Sequence, residues 1–158
     1  MTSEPPVGAS QPGARPAPGS FCGGGGLQVV GCGRWEALGP SSVSNLRIWN
    51  EGMLIVRDCY ALTTNWPRAE LFGLTGQTRR AAVSIPCNLA EGKGRGTRPE
   101  MARYAQIALG SLYELDTLLQ IAAGLNFSDP AQITHLRERL SVLARQISSF
   151  IQKRRSAA

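Results

Sequence analysis

The stretch RAAVSIPCNLAEGKGRG at residues 80–96 continues a helical pattern and then ends in glycines and cations. Apolar and small residues at steps of three and four predict one buried face, made of Leu74, Thr78, Ala81, Ile85 and Leu89. Pro86 interrupts this helix by removing one backbone donor and displacing the carbonyl of Ala82. We expect a kinked helix from about residue 70 to residue 91.

A narrow polar stripe lies beside the buried face and follows the same helical spacing: Gln77, Arg80, Ser84, Asn88 and Glu91. Beyond this stripe lies a second face of small and apolar residues: Phe72, Gly76, Val83, Cys87 and Ala90. A helix that is apolar on two sides is usually buried on two sides. In a four-helix bundle the second burial requires another subunit. We therefore expect oligomerisation through this helix, with the polar stripe near the junction.

The polar stripe has two interpretations. It could be a catalytic site, or it could be a satisfied polar network that fixes helix register and oligomeric state. The network is favoured because buried polar groups in proteins are usually hydrogen-bonded. Arg80 or Asn88 would then satisfy the carbonyl that Pro86 leaves free. Glu114 on the next helix would pair with Arg80, and Ser111 belongs to the same network.

Three further helical patterns accompany this one. The first spans about residues 45–65, and its apolar stripe consists of Leu46, Trp49, Met53, Val56 and Tyr60. The third helix starts at Thr97, which makes a capping box with Glu100, and runs to about residue 123. The fourth helix starts at Ser128 or Asp129 and keeps a heptad-like apolar spacing. Connections of about 4 to 6 residues favour antiparallel neighbours, so the predicted fold is all-α, an antiparallel up-down-up-down four-helix bundle.

The composition divides the chain into three parts. Residues 1–44 hold 10 of the 18 glycines and 6 of the 10 prolines, so we expect a disordered tail with little apolar surface to bury. The helical patterns occupy residues 45–152, and residues 153–158 form a basic C-terminal tail. No apolar run is long enough to span a membrane, and no basic segment followed by an apolar one opens the sequence. These features predict a cytoplasmic protein.

The net charge of +6 lies entirely within residues 45–158. Cations gather beside the glycine-rich connection and at the end of the chain: Lys93, Arg95, Arg98, Arg103, Lys153, Arg154 and Arg155. Such a surface could hold RNA or DNA phosphates with strong salt dependence, or it could be a solvated basic loop and tail. No aromatic residue interleaves the loop, so base stacking is not expected and binding would tolerate any base sequence.

The residue combinations that catalysis requires are missing from the sequence. His135 is the one histidine, so neither a Glu-x-x-His metal site nor a serine-histidine-aspartate triad is supported. The four cysteines form no Cys-x-x-Cys pair, and GKGRG lacks the spacing of a phosphate-binding P-loop. We therefore expect no enzyme, no metal and no cofactor. The alternative to nucleic-acid binding is a structural or protein-protein interaction module.

Two segments carry a specific family resemblance. Residues 71–95 read LFGLTGQTRRAAVSIPCNLAEGKGR, and residues 104–119 read YAQIALGSLYELDTLL. Together they resemble the four-helix-bundle proteins of the 23S ribosomal RNA intervening-sequence family. The matching positions include Gln77, Arg79, Arg80, Ser84, Pro86, Asn88, Glu91, Gly92, Ser111 and Glu114. The resemblance covers about residues 45–152.

The resemblance implies a ring-like homopentamer and no known reaction. Some family members are encoded within insertions in ribosomal RNA genes. A more distant likeness, to the accessory variability protein of diversity-generating retroelements, implies contact with a reverse transcriptase and nucleic acid. Five copies of the chain would carry a charge of about +30, enough to bind phosphates strongly. The implied partners are further copies of the chain, RNA or DNA, and a reverse transcriptase.

Overall fold

The computed structural model describes residues 43–156, and this part of the chain contains helices and no strand. The four long helices are α1 (Arg47–Leu62), α2 (Leu74–Gly94), α3 (Arg98–Gly124) and α4 (Pro130–Arg155). The all-α prediction is confirmed. Nearly all of the predicted N-terminal tail, residues 1–42, lies outside the described residues. Between residues 43 and 156, no helix is long and apolar enough to cross a membrane.

The helices are antiparallel neighbours around a closed square. On α2 and α3, Ser84 lies beside Ser111 while Gly92 lies beside Tyr104, so residue numbers rise on one helix as they fall on the other. The remaining neighbours are joined by side-chain hydrogen bonds: Arg137 to Asp116 between α4 and α3, and Arg139 to Asp58 between α4 and α1. The bundle therefore has two ends. The α2–α3 connection and the last turn of α4 lie at the same end.

Aliphatic side chains from all four helices fill the core. Those with almost no solvent exposure are Ile55, Ile85, Leu89, Leu112, Leu115, Leu119, Leu140, Leu143 and Ile147. Burial of each side chain of this size contributes about 1.5–3 kcal/mol of hydrophobic stabilisation. On α2 the buried residues include Thr78, Ala81, Ile85 and Leu89, as the helical spacing predicts, while Leu74 is half-buried at the start of the helix.

The predicted apolar stripe of α1 is wrong. The helix buries a neighbouring stripe at the same spacing: Ile48, Gly52, Ile55, Cys59 and Leu62. Tyr60 of the predicted stripe is 45% exposed, and Leu46, Trp49 and Val56 pack only against the edge of the core. The buried stripe contains small residues because α1 approaches α2 closely. A Cβ atom on Gly52 would lie 3.5 Å from side-chain atoms of both Ile85 and Pro86.

The connection between α1 and α2 is longer than predicted and occupies residues 63–73. It contains two short 3-10 turns, Thr63–Asn65 and Arg68–Glu70. The Trp66 indole N–H donates a hydrogen bond of 2.6 Å to the Ser128 hydroxyl, which anchors the turn against the opposite connection. The Glu70 carboxylate accepts from the backbone N–H of Leu74 at 2.9 Å, so Glu70 caps α2 instead of belonging to it.

The starts of α3 and α4 follow the sequence signals, whereas α2 ends at Gly94, beyond the predicted end at Glu91. The Thr97 hydroxyl accepts a hydrogen bond from the backbone N–H of Glu100 at 3.4 Å, which caps α3. Asp129 caps α4 by accepting from the backbone N–H of Ala131 at 3.0 Å. Helix α4 continues to Arg155, so the C-terminal cations occupy its last turn instead of a separate tail. Only residues 95–97 separate α2 from α3.

Candidate nucleic-acid interface

Helix α2 passes through Pro86 without ending. Pro86 is buried and faces the close approach of α1 at Gly52. The Asn88 side-chain amide donates to the Ser84 carbonyl at 2.8 Å, whereas the sequence predicts a bond to the carbonyl of Ala82. The Asn88 amide therefore bonds a carbonyl one helical turn before Asn88, and it also donates to the Ser84 hydroxyl at 2.9 Å.

A short hydrogen-bonded chain crosses from α2 to α3. The Asn88 amide donates to the Ser84 hydroxyl, the two serine hydroxyls of Ser84 and Ser111 lie 2.8 Å apart, and Ser111 donates to the Ile107 carbonyl at 3.2 Å. Because a serine hydroxyl has a single proton, Ser84 must donate to Ser111 when Ser111 donates to the carbonyl. Three of the residues predicted to form the polar network therefore meet at the α2–α3 seam.

The outer members of the predicted network do not join this chain. Gln77, Arg80 and Glu114 are exposed. Among residues 43–156, no hydrogen bond or ion pair links Arg80 to Glu114, so the predicted pair between them does not form within one subunit. The stripe follows helical spacing, but its ends turn away from α3 toward solvent.

Glu91 belongs to a different cluster from the one that the stripe predicts. Its carboxylate accepts from the Arg95 guanidinium at 2.6 Å and from the Tyr104 hydroxyl at 2.8 Å. The hydrogen bond from Arg95, followed by that from Tyr104, lowers the pKa of the Glu91 carboxyl. These three side chains fasten the end of α2 to the second turn of α3.

Gly92 allows this junction to close. It is buried, and a Cβ atom on it would lie 2.7 Å from the Tyr104 Cβ and 3.2 Å from the Met101 sulfur. Only a residue without a side chain permits α2 and α3 to approach this closely. The close approach places the short α2–α3 connection over the bundle end.

The antiparallel topology brings the two predicted groups of cations to one end of the bundle. We call this surface the basic end, and it comprises Arg47, Lys93, Arg95, Arg98, Arg103, Lys153, Arg154 and Arg155. A depression of about 90 Å³ on this surface is lined by Lys93 of α2, Arg98 of α3 and Arg154 of α4. The structure thus joins groups that lie some sixty residues apart in sequence.

Carboxylates partner only part of the basic end. Arg95 pairs with Glu91, and Arg103 lies 3.5 Å from Glu100. Within the described chain, no carboxylate lies at ion-pair distance from Lys93, Lys153, Arg154 or Arg155. Cations at the end of α4 also interact favourably with the negative end of that helix. An unneutralised positive field remains at this end of the molecule.

Two cations in the first half of α4, Arg137 and Arg139, form ion pairs. Arg139 contacts Asp58 and, at 3.5 Å, Glu51, both on α1. Arg137 bonds Asp116 of α3 at 2.7 Å, and this hydrogen bond raises the pKa of the Arg137 guanidinium. These pairs tie α4 to its two neighbours. Arg145, further along the helix, donates to the Ser141 hydroxyl at 3.3 Å and is exposed.

Two aromatic rings lie among the cations, although the sequence shows none in the loop itself. The Arg95 and Arg103 guanidinium carbons lie 5.6 and 5.7 Å from the centroid of Tyr104. Arg154 lies over Phe150 at 4.8 Å. Phe150 reaches this surface from α4, so no local pattern in the loop could reveal it. Tyr104 stands one position after Arg103, and that adjacency is the only sequence signal.

The residues considered for metal and thiol chemistry lie away from this surface. His135 is exposed on α4. In residues 43–156, no group of three or more His, Cys, Asp or Glu side chains is placed to hold a metal ion. Cys59 is buried, and that burial raises the pKa of its thiol to about 12, while Cys87 is exposed. Cys22 and Cys32 lie outside the described residues.

The architecture defines an all-α protein, a small four-helix bundle with a cluster of cations at one end. A family model described as 23S rRNA-intervening sequence protein matches residues 44–149, and the chain belongs to this family. The match includes α1, α2, α3, the α2–α3 connection and most of α4, but not the cations of the last turn. No curated protein matches the chain.

Proposed function

We propose that the chain is a non-enzymatic, homo-oligomeric bundle that binds the phosphates of RNA or DNA through its basic end. The observation that carries this proposal is the meeting of the α2–α3 cations and the α4 cations on one surface. Each cation that contacts a phosphate releases counterions, so affinity should fall steeply with added salt. The family's name connects its members with ribosomal RNA genes, which is consistent with an RNA ligand.

The exposed face of α2 supports assembly of several copies. Phe72, just before α2, is 90% exposed, and on the helix Cys87 is exposed while Val83 and Ala90 are half-buried. Helix α3 also exposes the apolar side chains of Ile107 and Ile121. Contiguous exposed apolar residues mark interaction sites. A ring, with five copies as the family resemblance implies, would multiply the field of the basic end.

The ionisable groups support a binding role over a catalytic one. Glu91 and Arg95 shift each other's pKa in the directions expected of a surface ion pair, and both are exposed. The Cys59 thiol is buried in the core and stays protonated at neutral pH. We therefore propose a scaffold for an RNA insertion or for a reverse transcriptase. A module that binds another protein through the exposed α2 face is the second candidate.

The test compares two double variants that remove the same charge from different places. Lys93→Gln with Lys153→Gln changes the basic end, whereas Arg68→Gln with Arg80→Gln changes exposed cations elsewhere. Binding of a short unstructured RNA is measured by fluorescence anisotropy over a range of salt concentrations. The basic-end variant should lose about 1.4 in the slope of log K against log salt, two phosphate contacts for a single strand.

The control variant should keep most of the wild-type slope. Equal losses in both variants would show that net charge alone drives binding, and the basic end would not be the site. If RNA binds neither variant nor the wild type at low salt, the proposed function is wrong, and a protein ligand for the α2 face becomes the function to test.

A further inference from the structure

Residues from α2, α3 and α4 line the depression in the basic end. Lys93, Arg98 and Arg154 surround it from three different helices. Its lining is completed by Gly92, Gly96 and Thr97 and by the apolar side chains of Leu46, Met101 and Phe150. Met101 is buried, and Leu46 and Phe150 pack against the core, so the apolar wall is fixed.

Arg154 is held in place more firmly than its neighbours on the last turn. Its guanidinium lies over the Phe150 ring at 4.8 Å, and the side chain is half-buried, while Lys153 and Arg155 are exposed. Stacking on a ring occupies the face of a guanidinium and leaves its N–H groups at the edge available. A planar group fixed in this way is already oriented to donate to the oxygens of a phosphate.

The size of the depression limits what it can take. Its volume of about 90 Å³ accommodates a compact group such as a tetrahedral oxyanion. The apolar side chains on one side of the depression exclude water from part of the surroundings of Arg154, which strengthens its attraction for an anion.

We propose that Lys93, Arg98 and Arg154 form a binding site for a single phosphate group, which we call the phosphate site, and that Arg154 is held there in a fixed orientation. The inference rests on the proposed function, because it names which part of the basic end receives a phosphate of the bound strand. The group is either an internal phosphodiester or a terminal phosphate. The remaining cations of the basic end then contact the strand less specifically.

Two adjacent arginines provide the test. Arg154→Gln and Arg155→Gln remove the same charge from the same helical turn, but only Arg154 lines the depression. Binding of inorganic phosphate to the full chain at low salt is followed by the NMR shifts of the backbone amides at residues 92–98. Arg154→Gln should weaken binding at least about tenfold, the loss of one charge-assisted hydrogen bond, and Arg155→Gln at most about twofold.

Arg154→Lys supplies a second variant that keeps the charge and loses the planar fork. It should bind phosphate more weakly than the wild type and more tightly than Arg154→Gln. Circular dichroism verifies that each variant keeps its helices. Equal weakening by Arg154→Gln and Arg155→Gln, or wild-type amides that do not shift with phosphate, would contradict the proposed phosphate site.

RNA binding by the same variants separates this inference from the proposed function. If RNA binds with a steep salt slope but Arg154→Gln and Arg155→Gln weaken RNA binding equally, the phosphate site is wrong and the basic end remains the interface. If phosphate shifts the amide signals as expected but RNA does not bind, the phosphate site is supported and the proposed function is wrong. Paired RNAs with a 5′-phosphate or a 5′-hydroxyl distinguish the two sources, since only a terminal phosphate makes them differ.

Discussion

The Ser84 hydroxyl of α2 and the Ser111 hydroxyl of α3 lie 2.8 Å apart and connect the two helices through their side chains. The bond sits at the centre of a chain that begins at Asn88 and ends at the Ile107 carbonyl. Its partners are half-buried or buried, so neither hydroxyl is freely solvated. A slip of one helix past the other would break the contact, and the pair therefore fixes the register of the α2–α3 seam.

Replacing Ser111 with Ala should destabilise the fold by about 1 kcal/mol, because the Ser84 hydroxyl loses its acceptor. The free energy of unfolding in urea measures this effect. A double-mutant cycle with Ser84→Ala should return a coupling of about 0.5–1.5 kcal/mol. Thr117→Ala is the control, since that exposed hydroxyl bonds only to its own helix at Tyr113. A coupling near zero would show that the serines are merely adjacent.

Gly92→Ala should destabilise the fold by about 1–3 kcal/mol, because the added Cβ overlaps Tyr104. Thermal unfolding gives the loss. Gly94→Ala provides the matched control two residues later, where no atom outside the local backbone lies within 4 Å of the new Cβ. If Gly92→Ala is as stable as Gly94→Ala, the two helices do not approach as closely as the structure shows.

Glu91→Gln should strengthen RNA binding by about threefold, because it removes a negative charge and releases Arg95 from its ion pair. Anisotropy titrations at a fixed low salt concentration measure the change. Glu138→Gln removes the same charge from an exposed position on α4 outside the basic end, and it should have little effect. A weaker complex after Glu91→Gln would mean that the Arg95–Glu91 pair itself shapes the RNA contact.

Cys59 should not react with a thiol reagent in the folded protein at pH 8, because its side chain is buried. Burial of Cys59 raises the pKa of its thiol from the ordinary 9.0 to about 12. Above the unfolded value the unfolded chain loses its proton while the folded chain keeps it, so stability falls as the pH rises from 9.0 toward about 12. Mass spectrometry locates the label, and Cys59→Ala should flatten the alkaline loss. Rapid labelling of Cys59 at pH 8 would contradict its burial.

Phe72→Asp should lower the mass of the assembled protein without unfolding the subunit, since the side chain is 90% exposed in one copy. Light scattering during size exclusion gives the mass per particle. Val142→Asp changes an exposed apolar residue on α4 and should leave the mass unchanged. If wild-type protein is a monomer, or if both variants assemble normally, the α2 face is not the contact between subunits.

The sequence predicts those parts of the fold that depend on local chemistry. The caps at Thr97 and Asp129 and the buried face of α2 follow from residue type and spacing, and the structure shows them. The buried side of α1 could not be chosen in this way. Apolar residues occupy two neighbouring arcs of that helix, and which arc is buried depends on how the neighbouring helices pack against it.

The candidate site depends even more on topology. Residue type alone indicates the cations of the basic end, but only the antiparallel arrangement places Arg154 beside Lys93. Glu91 follows the helical spacing of the polar stripe, yet it bonds Tyr104 thirteen positions away because Gly92 brings α3 close. Such partners come from packing between helices, and spacing within one helix carries no information on them.

Size exclusion with light scattering of the unmodified protein, alone and with a short unstructured RNA, measures assembly and RNA binding together at low and high salt. We expect an assembly of several copies that carries RNA at low salt and releases it at high salt. An assembly that elutes without RNA even at low salt would contradict nucleic-acid binding by the basic end, while a single free subunit would contradict assembly through α2.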